Sequence, residues 1–267
     1  MKKIFYIVIS LMLFAVACED SNTDNDVPTG SDWALDYTVE QIADHEAVIV
    51  KPEDIESGAP VVVVLAENLE LRSLAAKKPD VNFKAAEHCL IGRYILCIVE
   101  VEKRADIAFL TDVKALFPDA SKFYLLSYCN GLSYTAAMQM PDEFAAYACV
   151  SGAIDVETYK VSSFQKPVSF VHVHATENPI YKWTGVEGES VSVPLSVAAV
   201  ASINECVTFK TSELLHREGK GRVTCTKYVG GDSNCEVHLY SVESANSGWC
   251  DEEFEVYNQV WNFFKVR

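Results

Sequence analysis

The sequence predicts an α/β fold, in which helices pack on both faces of a single doubly wound, mostly parallel β-sheet. Short apolar runs rich in branched residues alternate along the chain with longer segments of helical spacing. The 267 residues are enough for one large domain, and no internal repeat or linker follows residue 30. With 49% apolar and 22% charged residues, the composition is that of an ordinary globular protein.

The predicted strands are the short apolar runs. The run 61–65 consists of four valines and a leucine, and a continuous branched run is typical of a strand that is buried on both faces. The other predicted strands are 94–101, 123–126, 145–150, 168–174, 222–229 and 236–242.

The predicted helices lie between these runs, at 82–91, 105–117, 132–140, 195–204 and 252–264. In the second of them, an apolar residue recurs at every third position from Ile107 to Leu116, and Pro118 follows. Strands that alternate with helices in this way form parallel sheets. Because such sheets bind ligands at the carboxyl ends of their strands, the functional residues are expected there.

The charge of the chain excludes one large class of partners. Lys and Arg number 22 against 38 Asp and Glu, which gives a net charge of −16. A chain this acidic repels phosphate backbones, and no local basic patch offsets that charge. The sequence therefore predicts no binding of nucleic acid.

Residues 1–17 have the features of a secretory signal peptide. Two lysines precede the apolar run 4–17, whose 14 residues are too few to span a bilayer core of about 30 Å. The run ends in the sequence AVAC, which resembles the lipobox of bacterial lipoproteins. This resemblance implies that Cys18 is acylated and anchors the protein in a membrane. An ordinary signal peptide with a chance cysteine is the alternative.

Residues 18–30 are polar and acidic and show no periodicity, which predicts a flexible tether before the domain 31–267. The predicted location is therefore the bacterial cell envelope, at the outer membrane or the cell surface.

Eight of the nine cysteines remain after Cys18, an even number for a compartment that permits disulfides. Eight cysteines allow about 105 pairings, so the residues alone leave the connectivity open. There is no CxxC pair, and the histidines lack the spacing of zinc ligands around the cysteines. The sequence predicts no metal and no other cofactor.

One strand-to-helix turn has the pattern of a nucleophile elbow, G-x-S-x-G. The stretch 125–131 reads LLSYCNG, with Cys129 at the nucleophile position and Asn130 directly after it. The turn is tight and needs small residues on either side of the nucleophile, and Ser127 and Gly131 meet that need. The helix that follows places its N-terminus beside the thiol, which favours a thiolate.

The surrounding segment 123–153, FYLLSYCNGLSYTAAMQMPDEFAAYACVSGA, is similar to secreted esterases of the feruloyl esterase and polyhydroxybutyrate depolymerase type. The resemblance extends over most of residues 47–250. It implies the α/β-hydrolase fold and, for the family, hydrolysis of carboxylic esters.

The positions that carry catalysis in the family differ in this chain. The elbow serine falls on Cys129, the acid on Asn178, the histidine on Ser247, and the oxyanion His-Gly on Ala66-Glu67. Cysteine and asparagine are compatible with catalysis, since Cys-His-Asn triads function. Ser247 cannot act as a general base, and Glu67 places negative charge where an oxyanion would develop. The sequence therefore predicts the loss of standard esterase catalysis.

One histidine is a candidate for the missing base. His172 and His174 alternate on a predicted strand and therefore face the same side, and His174 lies nearer to the strand end and to Asn178. A Cys129–His174 pair is the route by which hydrolysis could persist. His238 is expected to be structural, and the other three histidines are expected at the surface.

Further candidates follow from the predicted loops and from the resemblance. Trp183, Trp249 and Tyr181 lie on loops around the cleft, where they could stack on sugar or phenolic rings or pack in the core or rim. Cys206 lies near a family cysteine, and the resemblance implies a Cys206–Cys235 disulfide first and a Cys206–Cys225 disulfide second.

Three functional hypotheses remain. The first is a catalytically degenerate, esterase-like lipoprotein that binds glycans or ester-bearing polymers. The second is an active ester hydrolase with Cys129 as a thiol nucleophile, and the third is a structural envelope protein without a ligand. The first is favoured because the catalytic positions have departed from the family pattern.

Overall fold

A ten-stranded sheet forms the frame of the described structure. Its order is β1-β2-β4-β3-β5-β6-β7-β10-β9-β8. Neighbouring strands from β4 to β10 run parallel, whereas β1, β2, β8 and β9 join the two ends of this parallel part by antiparallel pairing. The strands are β1 Tyr37–Ile42, β2 His45–Val50, β3 Val61–Ala66, β4 Ile95–Glu100, β5 Phe123–Tyr128, β6 Ala146–Val150, β7 Phe170–Ala175, β8 Thr208–Leu215, β9 Val223–Val229 and β10 Val237–Val242.

The computed structural model describes residues 37–66, 81–102, 104–215, 221–231, 234–244, 249 and 255–267. All of them lie in the second of two units into which the chain divides, Met1–Trp33 and Ala34–Arg267. The predicted signal peptide, the acylated Cys18 and the tether lie outside the described residues, as do Glu67 and Ser247.

The described helices cover both faces of the sheet. They are α1 Val81–Gly92, α2 Leu110–Ala115, α3 Leu132–Gln139, α4 Val156–Val161, α5 Val193–Ile203 and α6 Val256–Phe264. Buried side chains of α2, α3 and α5 join one apolar cluster on one face, and those of α1 and α6 join a second cluster on the other. This arrangement confirms the predicted doubly wound sheet. No helix in the described part of the chain is long and apolar enough to cross a bilayer.

The structure departs from the predicted elements at the edges. Helix α2 is shorter than the predicted 105–117, because the Asp106 carboxylate accepts from the Ala108 amide and the segment before Leu110 forms turns. Strand β8 was not predicted, because its side chains are largely exposed and show no apolar run. Strands β1 and β2 and the short helix α4 were also missed.

Candidate functional site

The turn between β5 and α3 has the backbone geometry of a nucleophile elbow. Cys129 adopts a left-handed conformation with φ of 58°, which costs a non-glycine residue about 1–2 kcal/mol. Its amide donates to the Val150 carbonyl at the end of β6, 2.9 Å away. The side chain is half-exposed at the carboxyl edge of the sheet, as the sequence pattern predicted.

Tight packing below the turn maintains this strained conformation. The Ser127 hydroxyl donates to the Asn130 carbonyl at 3.1 Å and lies 2.7 Å from the Ser133 hydroxyl. A Cβ atom on Gly131 would collide with the Ala153 carbonyl, and one on Gly152 would collide with the Asn130 carbonyl. The elbow therefore requires glycine at both positions.

Asn130 ties the elbow to the neighbouring strand β3. Its buried side-chain amide donates to the carbonyls of Leu65 and Tyr128, at 3.1 and 2.9 Å, and its Oδ1 accepts from the Leu132 amide. Ala66, at the predicted oxyanion position, is buried at the end of β3 and accepts from the Val101 amide through its carbonyl.

A chain of hydrogen bonds runs through the two histidines of β7. The Tyr134 hydroxyl lies 2.7 Å from His172 Nδ1, and His172 Nε2 lies 3.2 Å from His174 Nδ1. His174 Nε2 lies 2.6 Å from the Tyr181 carbonyl oxygen. Both histidines are buried on the face that carries α3, which confirms that they point to the same side.

The last acceptor of this chain determines the direction of every bond in it. A carbonyl only accepts, so His174 must carry its proton on Nε2 and, when neutral, accept through Nδ1. His172 then donates from Nε2 and accepts from the Tyr134 hydroxyl through Nδ1. All donors and acceptors are satisfied when both imidazoles are neutral.

Burial keeps both imidazoles neutral. It lowers the pKa of His172 well below its usual range, and the neighbouring His174 lowers it further. Burial also lowers the pKa of His174 to about 4, against the opposing effect of its hydrogen bond to Tyr181. A neutral His174 with both nitrogens bonded has no lone pair left for the Cys129 thiol. The hydrogen bonds of His174 thus run to His172 and Tyr181, and the Cys129–His174 pair stays a prediction.

The other described histidines lie away from the elbow. His45 bonds to the Glu100 carbonyl at 3.1 Å, and His88 stacks on Tyr257. His238 is buried at the amino end of β10 and bonds to the Glu236 carboxylate at 2.9 Å, which agrees with its expected structural role. His216 lies outside the described residues.

Asn178, at the position of the family acid, caps a turn after β7. Its buried Oδ1 accepts from the amides of Ile180 and Tyr181, at 2.9 and 2.8 Å. Its Nδ2 is also buried and has no hydrogen-bond partner among the described residues. The side chain therefore shapes the loop that begins at the end of β7.

A small cleft of about 30 Å³ lies beside the elbow. Its walls come from the elbow, from the segment after β6 and from the loop after β7, and are formed by Asn130, Gly131, Ala153, Asp155, Ile180, Tyr181, Val186, Glu189 and Ser190. Arg104 pairs with Asp155 at 2.7 Å. Asn130 and Gly131, which line it, directly follow the predicted nucleophile in the chain.

The three predicted ligand-binding aromatics have different environments. Tyr181 lines the cleft, and Trp183 lies edge-on to His174 with its ring partly buried. Trp249 is buried in the core, where it packs on Tyr257 at 4.2 Å and meets Tyr128 edge-on. Of the two alternatives for Trp249, core packing is the one that the structure shows.

The predicted disulfides are absent from the structure, which holds Cys206 and Cys235 as free thiols. Cys225 belongs to the apolar cluster on one face of the sheet, whereas Cys206 packs against the cluster on the opposite face. The Cys206–Cys225 pairing is therefore wrong. Cys206 and Cys235 nevertheless lie near each other. The pKa of Cys206 is raised, mainly by burial and further by the nearby Cys235 thiol.

The described residues contain no cluster of side chains that could hold a metal ion.

Solved esterase and lipase structures are similar to this chain. An acetyl xylan esterase from Aspergillus awamori matches 88% of this chain and 100% of its own, with a TM-score of 0.54 and 11% identity. The chain has the α/β-hydrolase fold. Another neighbour is a thermostable esterase, which matches 86% of this chain and 60% of its own, with a TM-score of 0.49 and 12% identity. A further one is a soluble variant of monoglyceride lipase from Saccharomyces cerevisiae, which matches 90% of this chain and 96% of its own, with a TM-score of 0.47 and 9% identity.

The likeness at these identities concerns the fold alone. No protein-family model matches the chain, and no curated protein matches it. The feruloyl esterase and polyhydroxybutyrate depolymerase resemblance stays a prediction within the α/β-hydrolase fold.

The hydrogen-bond network that surrounds His174 is not predicted from the sequence. Two histidines at alternate positions of a buried strand were a signal that each needs a polar partner, because buried imidazoles are hydrogen-bonded. The partners themselves, Tyr134 on α3 and the Tyr181 carbonyl, come from other elements and follow no sequence pattern.

Proposed function

We propose that this protein is an envelope lipoprotein that uses its esterase-like fold to bind glycans or ester-bearing polymers without hydrolysing them. The observation that carries the proposal is the engagement of both His174 nitrogens, one with His172 and one with Tyr181. A general base needs a free lone pair within reach of the proton that it takes. His174 does not offer one to Cys129.

The residues around the cleft support a sugar or phenolic ligand. Tyr181 offers an aromatic ring for stacking, and Glu189 offers a carboxylate that accepts from hydroxyl groups. Feruloylated glycans combine both kinds of group, and the family resemblance points to the same class of ligand.

An active thiol esterase is the second candidate. It is favoured by the elbow itself, because Cys129 keeps the left-handed conformation and the exposure of a nucleophile. Its base would have to be a group other than the described histidines.

The envelope location rests on Cys18. Acylation there predicts that the full chain fractionates with membranes and that Cys18→Ala releases it into the soluble fraction. Equal partition of both proteins, with the signal peptide removed from both, would contradict the lipid anchor.

Binding without cleavage is tested by titrating the purified protein with a feruloylated xylo-oligosaccharide and with its de-esterified form. We expect saturable binding of the feruloylated form, with the ester intact by mass spectrometry after prolonged incubation. Ile180→Asp, which places a charge on the exposed rim of the cleft, should weaken binding, whereas Val161→Asp, on an exposed residue of α4, should not. Release of ferulate that disappears in Cys129→Ala would establish the second candidate, and absence of binding would leave a structural protein.

A further inference from the structure

A groove of about 430 Å³ lies between α4 and α5, and it shares no lining residue with the cleft beside the elbow. This α4–α5 groove is lined by Tyr159, Ser162 and Phe164, from α4 and the segment after it, by Ala199 and Ser202 of α5, and by Met138 of α3. Pockets that bind small ligands have volumes of about 300–1,000 Å³ and apolar walls with a few polar groups. The groove has the size and the composition of such a pocket.

Buried hydrogen bonds fix the spacing of the two helices that flank the groove. The Ser196 hydroxyl of α5 accepts from the Ile154 amide, just before α4, at 3.1 Å. Asn204, directly after α5, is also buried, and its side chain accepts from the Val168 amide at 2.9 Å and donates to the Val168 carbonyl at 2.8 Å. Helix α5 is thus tied to the chain on both sides of α4, and the groove exists before a ligand binds.

The side chains of the groove offer aromatic rings and hydroxyl groups without charge. The ring of Tyr159 is 37% exposed, and Phe164 adds a second ring that is largely buried. None of the described residues that line the groove is charged. Rings and hydroxyls in a neutral setting suit a ligand that has an apolar face for stacking and hydroxyl groups for hydrogen bonds. An uncharged sugar ring has both.

Helix α4 connects the groove to the cleft beside the elbow. Asp155 lines that cleft and caps the first turn of α4 through its carboxylate, which accepts from the Glu157 and Thr158 amides. Ser162 directly follows α4 and lines the groove. At about 1.5 Å per residue, these two positions are roughly 10 Å apart along the helix. A short oligosaccharide that lies along α4 therefore reaches both openings.

We propose that the α4–α5 groove is a second ligand subsite, which binds a neutral sugar residue of the same glycan whose ester-bearing part lies at the cleft beside the elbow. The proposal rests on the proposed function for the ligand at the elbow and adds a contact farther along the sugar chain. Tyr159 and the serine hydroxyls would contact the sugar and not the ester. A sugar chain without an ester should therefore still bind at the groove.

Calorimetric titration of the purified full chain with the de-esterified xylo-oligosaccharide tests the groove directly. Tyr159→Ala removes the exposed ring and should weaken binding about tenfold. Tyr159→Phe keeps the ring, and Ser202→Ala removes one hydroxyl, so each should weaken binding only about threefold. Phe209→Ala is the matched control, because it removes a 69% exposed ring of β8 that does not line the groove. Its affinity should stay within about twofold of that of the wild type.

Comparison with the feruloylated oligosaccharide separates the two openings. Tyr159→Ala should weaken the binding of both forms, whereas Ile180→Asp, at the cleft beside the elbow, should weaken only the feruloylated form.

Two results would overturn the subsite. One is a wild type that does not bind the de-esterified form, and the other is a folded Tyr159→Ala variant that binds it as tightly as the wild type does. If Ile180→Asp still weakened the feruloylated form, the proposed function would stand without the groove. Equal wild-type affinities for the two forms, both lowered by Tyr159→Ala, would support the groove and contradict ester binding at the elbow.

Discussion

The carboxyl ends of β5 and β7 carry the predicted nucleophile and the predicted histidine, and the two ends differ in what surrounds these side chains. At the end of β5, Cys129 keeps a left-handed backbone, partial exposure and the supporting glycines. At the end of β7, His172 and His174 are buried in a closed hydrogen-bond chain and Asn178 caps a turn. The first end therefore has the backbone conformation of an elbow, whereas the polar side chains of the second are bonded to one another and to the backbone.

The comparison shows what each end depends on. The elbow depends on backbone packing around Gly131 and Gly152. The carboxyl end of β7 depends on polar side chains. The chemistry that an imidazole can perform depends on the groups to which its two nitrogens are hydrogen-bonded.

Lowering the pH should produce the largest loss of stability, and it acts through His174 at the carboxyl end of β7. The pKa of His174 is about 4 in the folded protein and near 6.5 in the unfolded chain. The unfolded state therefore binds more protons between these values, and stability is full above pH 6.5 and falls as the pH drops to 4. The loss from His174 alone is roughly 3 kcal/mol.

Urea unfolding at pH 7 and pH 4.5 checks this effect. His238, whose pKa burial also lowers to about 4, contributes to the same window, so the wild type must be compared with His174→Gln. The variant should be less stable at pH 7 and should lose less stability on acidification. An identical loss in both proteins would show that His174 titrates normally.

At the elbow, the stability of the protein should depend on the volume of the side chains packed there and not on the pH. Gly131→Ala places a methyl group on the Ala153 carbonyl, which should cost about 3 kcal/mol because backbone must shift. Gly188→Ala is the control, since open space surrounds Gly188 and only its positive φ opposes the change, for about 1–2 kcal/mol. Chemical denaturation measures both, and equal costs would argue against the close packing of the elbow.

Removing the Tyr134 hydroxyl, the first donor of the hydrogen-bond chain through His172 and His174, should have the smallest effect on stability. Tyr134→Phe leaves His172 Nδ1 without its donor, which should cost about 1–2 kcal/mol. Tyr159→Phe, on a partly exposed tyrosine of α4, should change stability by less than about 0.5 kcal/mol. A neutral Tyr134→Phe would mean that the Tyr134 hydroxyl contributes no net stability through His172.

The parallel sheet was predictable because its strands, such as Val61–Ala66, are continuous apolar runs between helical segments. The elbow was predictable because a tight turn restricts which residues can flank Cys129. Strand β8 was not, because a strand that is exposed on both faces carries no burial pattern. The partners of His174 were not either, because a backbone carbonyl such as that of Tyr181 accepts a hydrogen bond whatever its side chain is.

The proposal that this protein binds esters without hydrolysing them rests on the engagement of both His174 nitrogens by His172 and Tyr181. Steady-state hydrolysis of 4-nitrophenyl acetate, followed from pH 5 to pH 9 for the wild type and Cys129→Ala, tests this claim most directly. We expect the two proteins to release nitrophenol at the same background rate throughout. Turnover in the wild type that is lost in Cys129→Ala would contradict it and make this protein a thiol esterase.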